Sequence, residues 1–259
     1  MCRFHRKMVF VLALLAASVG TSAGSLIFPP KIRYNSFLVP KAGLEAPYST
    51  KEDGTVSYAM EGLRIDVKCM TDSELNAFFP EESSKGKYSI NPYTYGDYED
   101  PSLGYTPNRF TVFRVSVHNY ALAKVQLPPL KAILLTDRGL LLHSYGISAD
   151  SPYESFERYY RARRGQSGNE SYRFDMRMGI VRSHNYGEDE KIFKGENYSG
   201  FVVFDPLAPE AKQVRLVLKE FALKFGAFDK PIETLDVKFD FDRRIEKKVL
   251  PPERKGAGL

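Results

Sequence analysis

Phe193-Lys-Gly-Glu-Asn-Tyr-Ser-Gly-Phe-Val-Val-Phe-Asp-Pro-Leu207, followed closely by Val214-Arg-Leu-Val-Leu-Lys-Glu-Phe221, is the stretch whose reading decides the fold. Gly195 and Gly200 act as turn residues ahead of the continuous apolar run at 201–204. The second half alternates Val214, Leu216 and Leu218 with Arg215 and Lys219. The 193–225 stretch therefore predicts two strands joined by a Pro-containing loop. A run apolar on both faces suits a strand buried between layers, and an alternating run suits a strand with one wet face. Both kinds meet in the core of a sandwich.

Similar patterns lie on either side. Leu235-Asp-Val-Lys-Phe-Asp-Phe-Asp242 and Leu63-Arg-Ile-Asp-Val-Lys-Cys69 alternate strictly, and 110–119 places Phe113, Val115 and Val117 opposite Arg114, Ser116 and His118. Residues 125–136, the turn Asp137-Arg-Gly139 and 140–143 read as a hairpin. Tyr172-Arg-Phe-Asp-Met-Arg-Met178 alternates as a further one-sided strand. Thr71-Asp-Ser-Glu74 is a capping box, opening a short helix that carries Leu75, Phe78 and Phe79 and stops at Pro80. Ser151-Pro-Tyr-Glu154 opens a second helix, with Ser151 as N-cap and Pro152 at its first position, running to Arg164 and stopping at Gly165. Many alternating strands with two short inserted helices predict a mostly β chain folded as an antiparallel sandwich. The aromatic content, 18 Phe and 16 Tyr with no Trp, favours the same half-buried pleated surfaces.

The remaining segments set the compartment. Arg3, Arg6 and Lys7 precede an apolar core at 8–19 and the small residues Thr21-Ser-Ala23, the pattern of a secretory signal peptide over 1–23. The apolar core is shorter than the ~20 residues a spanning helix needs. Residues 24–56, rich in Pro, Gly and Ser, read as an extended lead-in; 57–245 hold the sandwich; 246–259 read as a charged, mobile tail. Loss of the signal removes Cys2 and three positive charges. Cys69 is then the sole cysteine, in phase with an apolar face as a small buried hydrophobe, and the formal charge falls from +5 to +2. So weak a basic balance gives nucleic acid little to bind.

At Gly195-Glu-Asn-Tyr-Ser-Gly200-Phe-Val-Val-Phe-Asp-Pro206, taken with the strand ending in Asn119, the chain resembles bacterial exported immunoglobulin-like domains of uncharacterised function, many of them on lipoproteins. The resemblance spans 63–241 by order of elements and implies an Ig-like sandwich placed in the periplasm or peripherally on the envelope. The chain departs from that group in lacking a Cys for lipid attachment and in a large insertion at 151–168.

Chemistry-bearing patterns are sparse. His118, His143 and His184 lie on three separate segments without metal-ligand spacing, and no nucleophile elbow occurs. Neither catalytic residues nor a cofactor are expected. Asp236, Asp240 and Asp242 share one strand face, a start for calcium or simply a solvated surface around Lys238. The dense basic cluster Arg158, Arg161, Arg163 and Arg164 reads either as a dipole-matched helix end or as a site for an anionic headgroup, polysaccharide or acidic protein. The polar segment 81–108 carries Tyr93, Tyr95 and Tyr98, either a recognition loop or rings laid over a sheet edge. The expectation is a non-enzymatic interaction or structural module of the bacterial envelope, with an envelope protein or anionic envelope component as partner. A catalytic alternative would need His118 beside an acidic group in a cleft.

Overall fold

The computed structural model describes residues 32–163 and 170–249. The predicted signal peptide, residues 24–31, Arg164 and the end of the tail from 250 lie outside the described residues.

Strand content of 42% against 19% helix makes the chain mostly β. Its strands form two antiparallel sheets. The larger sheet runs in the order β1 (Ile32–Pro40), β12 (Pro231–Val249), β11 (Gln213–Phe225), β6 (Lys124–Gln126), β9 (Lys191–Phe193). The hairpin β7 (Ile133–Thr136) and β8 (Leu141–His143) joins it alongside β11. The smaller sheet runs β10 (Asn197–Phe204), β5 (Thr111–Asn119), β4 (Leu63–Met70), β3 (Val56–Met60), β2 (Tyr48–Thr50). The two strands of the deciding stretch, β10 and β11, fall in different sheets, so the Pro-containing loop between them carries the chain from one layer to the other.

Alternation explains how the sheets meet. Ile65, Val67, Phe113, Val115, Val117, Val202 and Phe204 form the inner face of the smaller sheet. They share one core with Val214, Leu216, Leu218, Phe221, Val237, Phe239 and Phe241 of the larger. Each such side chain contributes about 1.5–3 kcal/mol relative to exposure, far more than a surface ion pair. In β11 a register break between Leu218 and Phe221 puts Glu220 at φ 53°, and its N–H donates to Asp236 Oδ1 at 2.8 Å.

A second core lies on the outer face of the smaller sheet. Val112, Phe201 and Val203 are covered there by α1 (Asp72–Phe78), α3 (Phe156–Arg161) and α4 (Glu170–His184). A one-turn helix, α2 (Pro80–Ser83), follows α1. The layers are thus sheet, sheet and helical cap, with four helices where two were expected. The cap is possible because β10 is apolar on both faces, Val202 and Phe204 pointing one way and Phe201 and Val203 the other. Gly200 lets the cap come close, since a Cβ there would lie 2.5 Å from the Tyr186 Cα.

Four expectations are corrected. The 172–178 segment belongs to helix α4, because Phe174, Met178 and Val181, at helical spacing, are buried while Tyr172 and Met176 are exposed. The lead-in holds strands β1 and β2, and the start of the expected tail belongs to β12. The register Ile32↔Val249 to Pro40↔Phe241 shows why: each supplies the other's backbone partners without needing an apolar stripe. Helix α3 starts later than expected, with Ser155 as N-cap accepting from Arg158 N–H. Phe156 N–H donates to the Gly146 carbonyl and Gly146 N–H to that of Glu154, holding this segment extended up to the cap. The Thr71–Glu74 capping box forms as read, with Glu74 N–H donating to Thr71 Oγ1 at 3.2 Å and Thr71 N–H to Glu74 Oε2 at 2.9 Å.

Candidate functional site

The long tyrosine-bearing segment is ordered by its own polar groups. Asn91, fully buried, donates from Nδ2 to Ser83 Oγ at 2.9 Å and to the Leu75 carbonyl at 3.3 Å, and its Oδ1 accepts from Tyr93 N–H at 2.9 Å. Tyr93 then inserts between Phe79, Phe156 and Phe201, and its hydroxyl donates to Asn185 Oδ1 at 2.7 Å, just past α4. Burial pushes that phenol's pKa well above its ordinary range. One polar hub and one buried ring therefore pin the segment to both α1 and α4.

Pinned in this way, the segment closes a cavity of about 450 Å³ against α3 and α4. A single 3₁₀ turn at Gly86–Tyr88 contributes Gly86 and Lys87, with Ser89 just beyond. Tyr95 and Tyr98 come from the segment, and Arg109 from the residues leading into β5. Tyr159, Tyr160 and Arg163 come from α3 and its end, and Arg177 from α4. Four lining side chains are cationic and none is a carboxylate.

The arginines are held by aromatic faces and backbone carbonyls. Arg109, 9% exposed, donates from Nη1 to the Asn91 carbonyl and to Tyr160 Oη, both at 3.1 Å, and its guanidinium lies 4.1 Å from the Tyr95 ring centre. Its Nε–H has no hydrogen-bond partner. Burial pulls its pKa down, but the oxygens of Tyr160, Tyr159 and Tyr95 outweigh this and leave it above the ordinary value, so Arg109 stays charged. Arg177 donates from Nη2 to the Ser89 carbonyl at 3.0 Å, with its guanidinium 5.1 Å from the Tyr160 ring. Arg163 stacks 3.5 Å over Tyr159 and donates to that residue's carbonyl at 3.0 Å. Such stacking fixes guanidinium planes before a ligand arrives.

Two carboxylates lie close by. Asp97 accepts from Gly86 N–H at 2.7 Å and from Ser89 Oγ at 3.3 Å. Asp72, in the first turn of α1, feels the Arg109 charge, yet burial pushes its carboxyl up to about 7.

The sequence candidates separate. Tyr95, Tyr98 and Arg163 line the cavity, and Tyr93 lies inside the core. Arg158 turns back to the Ala149 and Ser151 carbonyls, and Arg161 pairs with Glu157 one turn earlier. The expected four-arginine cluster is thus not a convergent one among the described residues. Arg109 and Arg177 were missed, because Arg109 stands apart from any other cation ahead of β5 and Arg177 falls in the segment read as an alternating strand.

Elsewhere, His118 sits on the outer face of the smaller sheet, its Nε2 3.6 Å from Asp66 Oδ2. Burial and then Arg64 lower its pKa. Cys69 packs against the shared core, and burial pushes its thiol up to about 12. Asp240 holds Arg215 at 2.6 and 2.9 Å, Asp242 accepts from Gln213, and Asp236 accepts from the Glu220 N–H. Among the described residues no group of three His, Cys, Asp or Glu could hold a metal, and no helix is long and apolar enough to cross a membrane.

Family models, characterised proteins and solved structures gave no match to this chain.

Proposed function

We propose that the protein is an exported, non-enzymatic binding module of the bacterial cell envelope that holds an anionic envelope component in the Arg–Tyr cavity. The observation that carries this reading is the set of four cations lining one cavity without a carboxylate, one of them the buried Arg109 with an unpartnered Nε–H. Keeping a guanidinium out of water is costly, and an anion in the cavity offsets that cost through its charge. The Ig-like assignment belongs to the same proposal. It is supported by the two antiparallel sheets with a shared core, and the helical cap sets this chain apart from a plain sandwich. Location in the periplasm or on the envelope periphery follows from the signal-like N-terminus.

Cosedimentation of the purified protein with isolated cell envelopes tests this. The expected result is pelleting at low salt, release at high salt, and loss of pelleting in a Lys87→Ala, Arg163→Ala variant whose thermal melt is unchanged. Pelleting that resists salt and survives both substitutions would instead favour a protein partner held by apolar contacts. A protein that stays in the supernatant under all conditions would remove the envelope reading.

A further inference from the structure

We infer that the turn between β11 and β12 docks on an anionic bilayer, with Phe228 as the inserted group; the inference is independent of the Arg–Tyr cavity. Two consecutive residues of this turn, Phe228 at φ 58° and Asp229 at φ 61°, adopt the left-handed conformation. Hairpin turns of that kind ordinarily carry Asn-Gly, because most side chains crowd their own backbone there. Asp229 has partners inside the molecule, its two carboxylate oxygens accepting from Lys124 of β6 and Lys191 of β9. Phe228 has none. Its side chain is 95% exposed and meets no other ring among the described residues. An Asn or Gly at 228 would make the same turn with less strain, so within this chain the phenyl ring brings strain without a contact.

The turn is nevertheless fixed in place. Gly226 N–H donates to the Lys230 carbonyl at 2.9 Å, and Lys230 N–H to that of Ala227 at 3.5 Å. The two lysines on Asp229 tie it to two further strands. Ile232, 65% exposed, lies against Gly226, where a Cβ would come within 2.9 Å of its Cγ2. Phe228 and Ile232 together make the apolar end of a braced hairpin.

Two features select a bilayer as the occupant. A ring that stands clear of its surroundings needs a partner that encloses it, and a hydrocarbon layer does so without a preformed pocket. Charge is the second. Lys224 and Lys230 balance Asp229 and Glu233 within 224–233, and the two lysines bonded to Asp229 bring this end of the hairpin to +2. Such a surplus is drawn to anionic headgroups. One ring with two surplus lysines gives a reversible hold, weaker than that of a single acyl chain, so capture of envelopes is left to the cavity.

The test uses the full protein carrying Lys87→Ala and Arg163→Ala, so that turn and cavity are read apart. Its partitioning is measured onto phosphatidylglycerol–phosphatidylcholine vesicles and onto pure phosphatidylcholine vesicles, up to millimolar lipid. Partitioning onto the anionic vesicles should exceed that onto the neutral ones and fall with salt. Adding Phe228→Asn should lower it about tenfold while the melting temperature holds or rises, because Asn suits the left-handed position. Partitioning that Phe228→Asn leaves unchanged, or no partitioning onto either vesicle before that substitution, would overturn the inference and leave the cavity reading untouched. Equal partitioning onto the two vesicles would overturn the anionic preference. A dimer in sedimentation equilibrium that Phe228→Asn dissolves, without vesicle binding, would overturn the bilayer and assign the ring to a second copy of this chain.

Discussion

Replacing Met178 with Ala should destabilise the protein by about 3 kcal/mol, while replacing Met176, two residues earlier, should cost no more than ~0.5 kcal/mol. The difference follows from the helical cap. Phe174, Met178 and Val181 are spaced four and three residues apart along α4 and pack on the outer face of the smaller sheet. Met178 is 1% exposed and Met176 38%. Truncating the first opens a cavity of three heavy atoms between helix and sheet, and truncating the second removes atoms already in contact with water. In a chain of this size each kcal/mol moves the midpoint by about 2–4 °C, so Met178→Ala should melt about 6–12 °C early and Met176→Ala about 2 °C or less. Urea titrations followed by circular dichroism and by tyrosine fluorescence should give the same ranking, and coincident transitions would justify a two-state reading. Equal losses for the two variants would refute the reasoning, because only an alternating strand places both methionines on one buried face.

Three other substitutions probe the elements that fix the cavity. Gly200→Ala places a methyl 2.5 Å from the Tyr186 backbone, so it should cost about 3 kcal/mol in a denaturant melt and disturb the Tyr93–Asn185 hydrogen bond. Thr71→Ala removes the Oγ1 that accepts from Glu74 N–H and donates to Glu74 Oε2, leaving only the backbone half of the capping box, and should cost about 1 kcal/mol by the same melt. Asp72→Asn reports on pH. The folded chain holds that proton up to about pH 7 and the unfolded chain releases it near the ordinary carboxyl value of 3.8, so the folded state binds more protons between them and stability falls as pH rises. The shift from 3.8 to about 7 corresponds to at most ~4 kcal/mol, which the parent loses as pH rises through 7. The Asn variant should therefore exceed the parent by that amount above pH 8 and converge on it towards pH 4.

Strands β4, β5 and β12 were legible because one face of each meets the shared core and the other meets charge or water, which writes a period of two into the sequence. The Asp137-Arg-Gly139 turn and the Thr71 capping box were legible because local hydrogen bonding alone specifies them. Strand β1 was hidden. It is an edge strand held by backbone pairing to a densely charged partner, and its Pro40 sits at the strand's end, where no sheet N–H is needed. Helix α4 was misread because Phe174 and Met178 satisfy both the strand and the helix period; only extending the window to Val181 separates the two. That error also concealed the site. Read as a helix, 172–178 places Arg173 and Arg177 one turn apart beside the Tyr88 and Tyr160 rings. A run of neighbouring arginines drew attention to 158–164, but the turn of α3 directs Arg158 and Arg161 away from Arg163. The cavity is assembled from four separated segments, so its charge appears only after the chain folds.

The central claim is that Arg109 and Arg163 face one cavity and take one anion. The most direct measurement follows the arginine side-chain Nε–Hε resonances of isotope-labelled protein during titration with inorganic phosphate, against chloride at equal ionic strength. The account predicts that the Arg109 and Arg163 resonances shift together and saturate with a common Kd. Arg158, tied to backbone carbonyls, and Arg161, paired with Glu157, should stay in place. Shifts that never saturate, that spread evenly over the exposed arginines, or that leave Arg109 unmoved while phosphate binds elsewhere would contradict it.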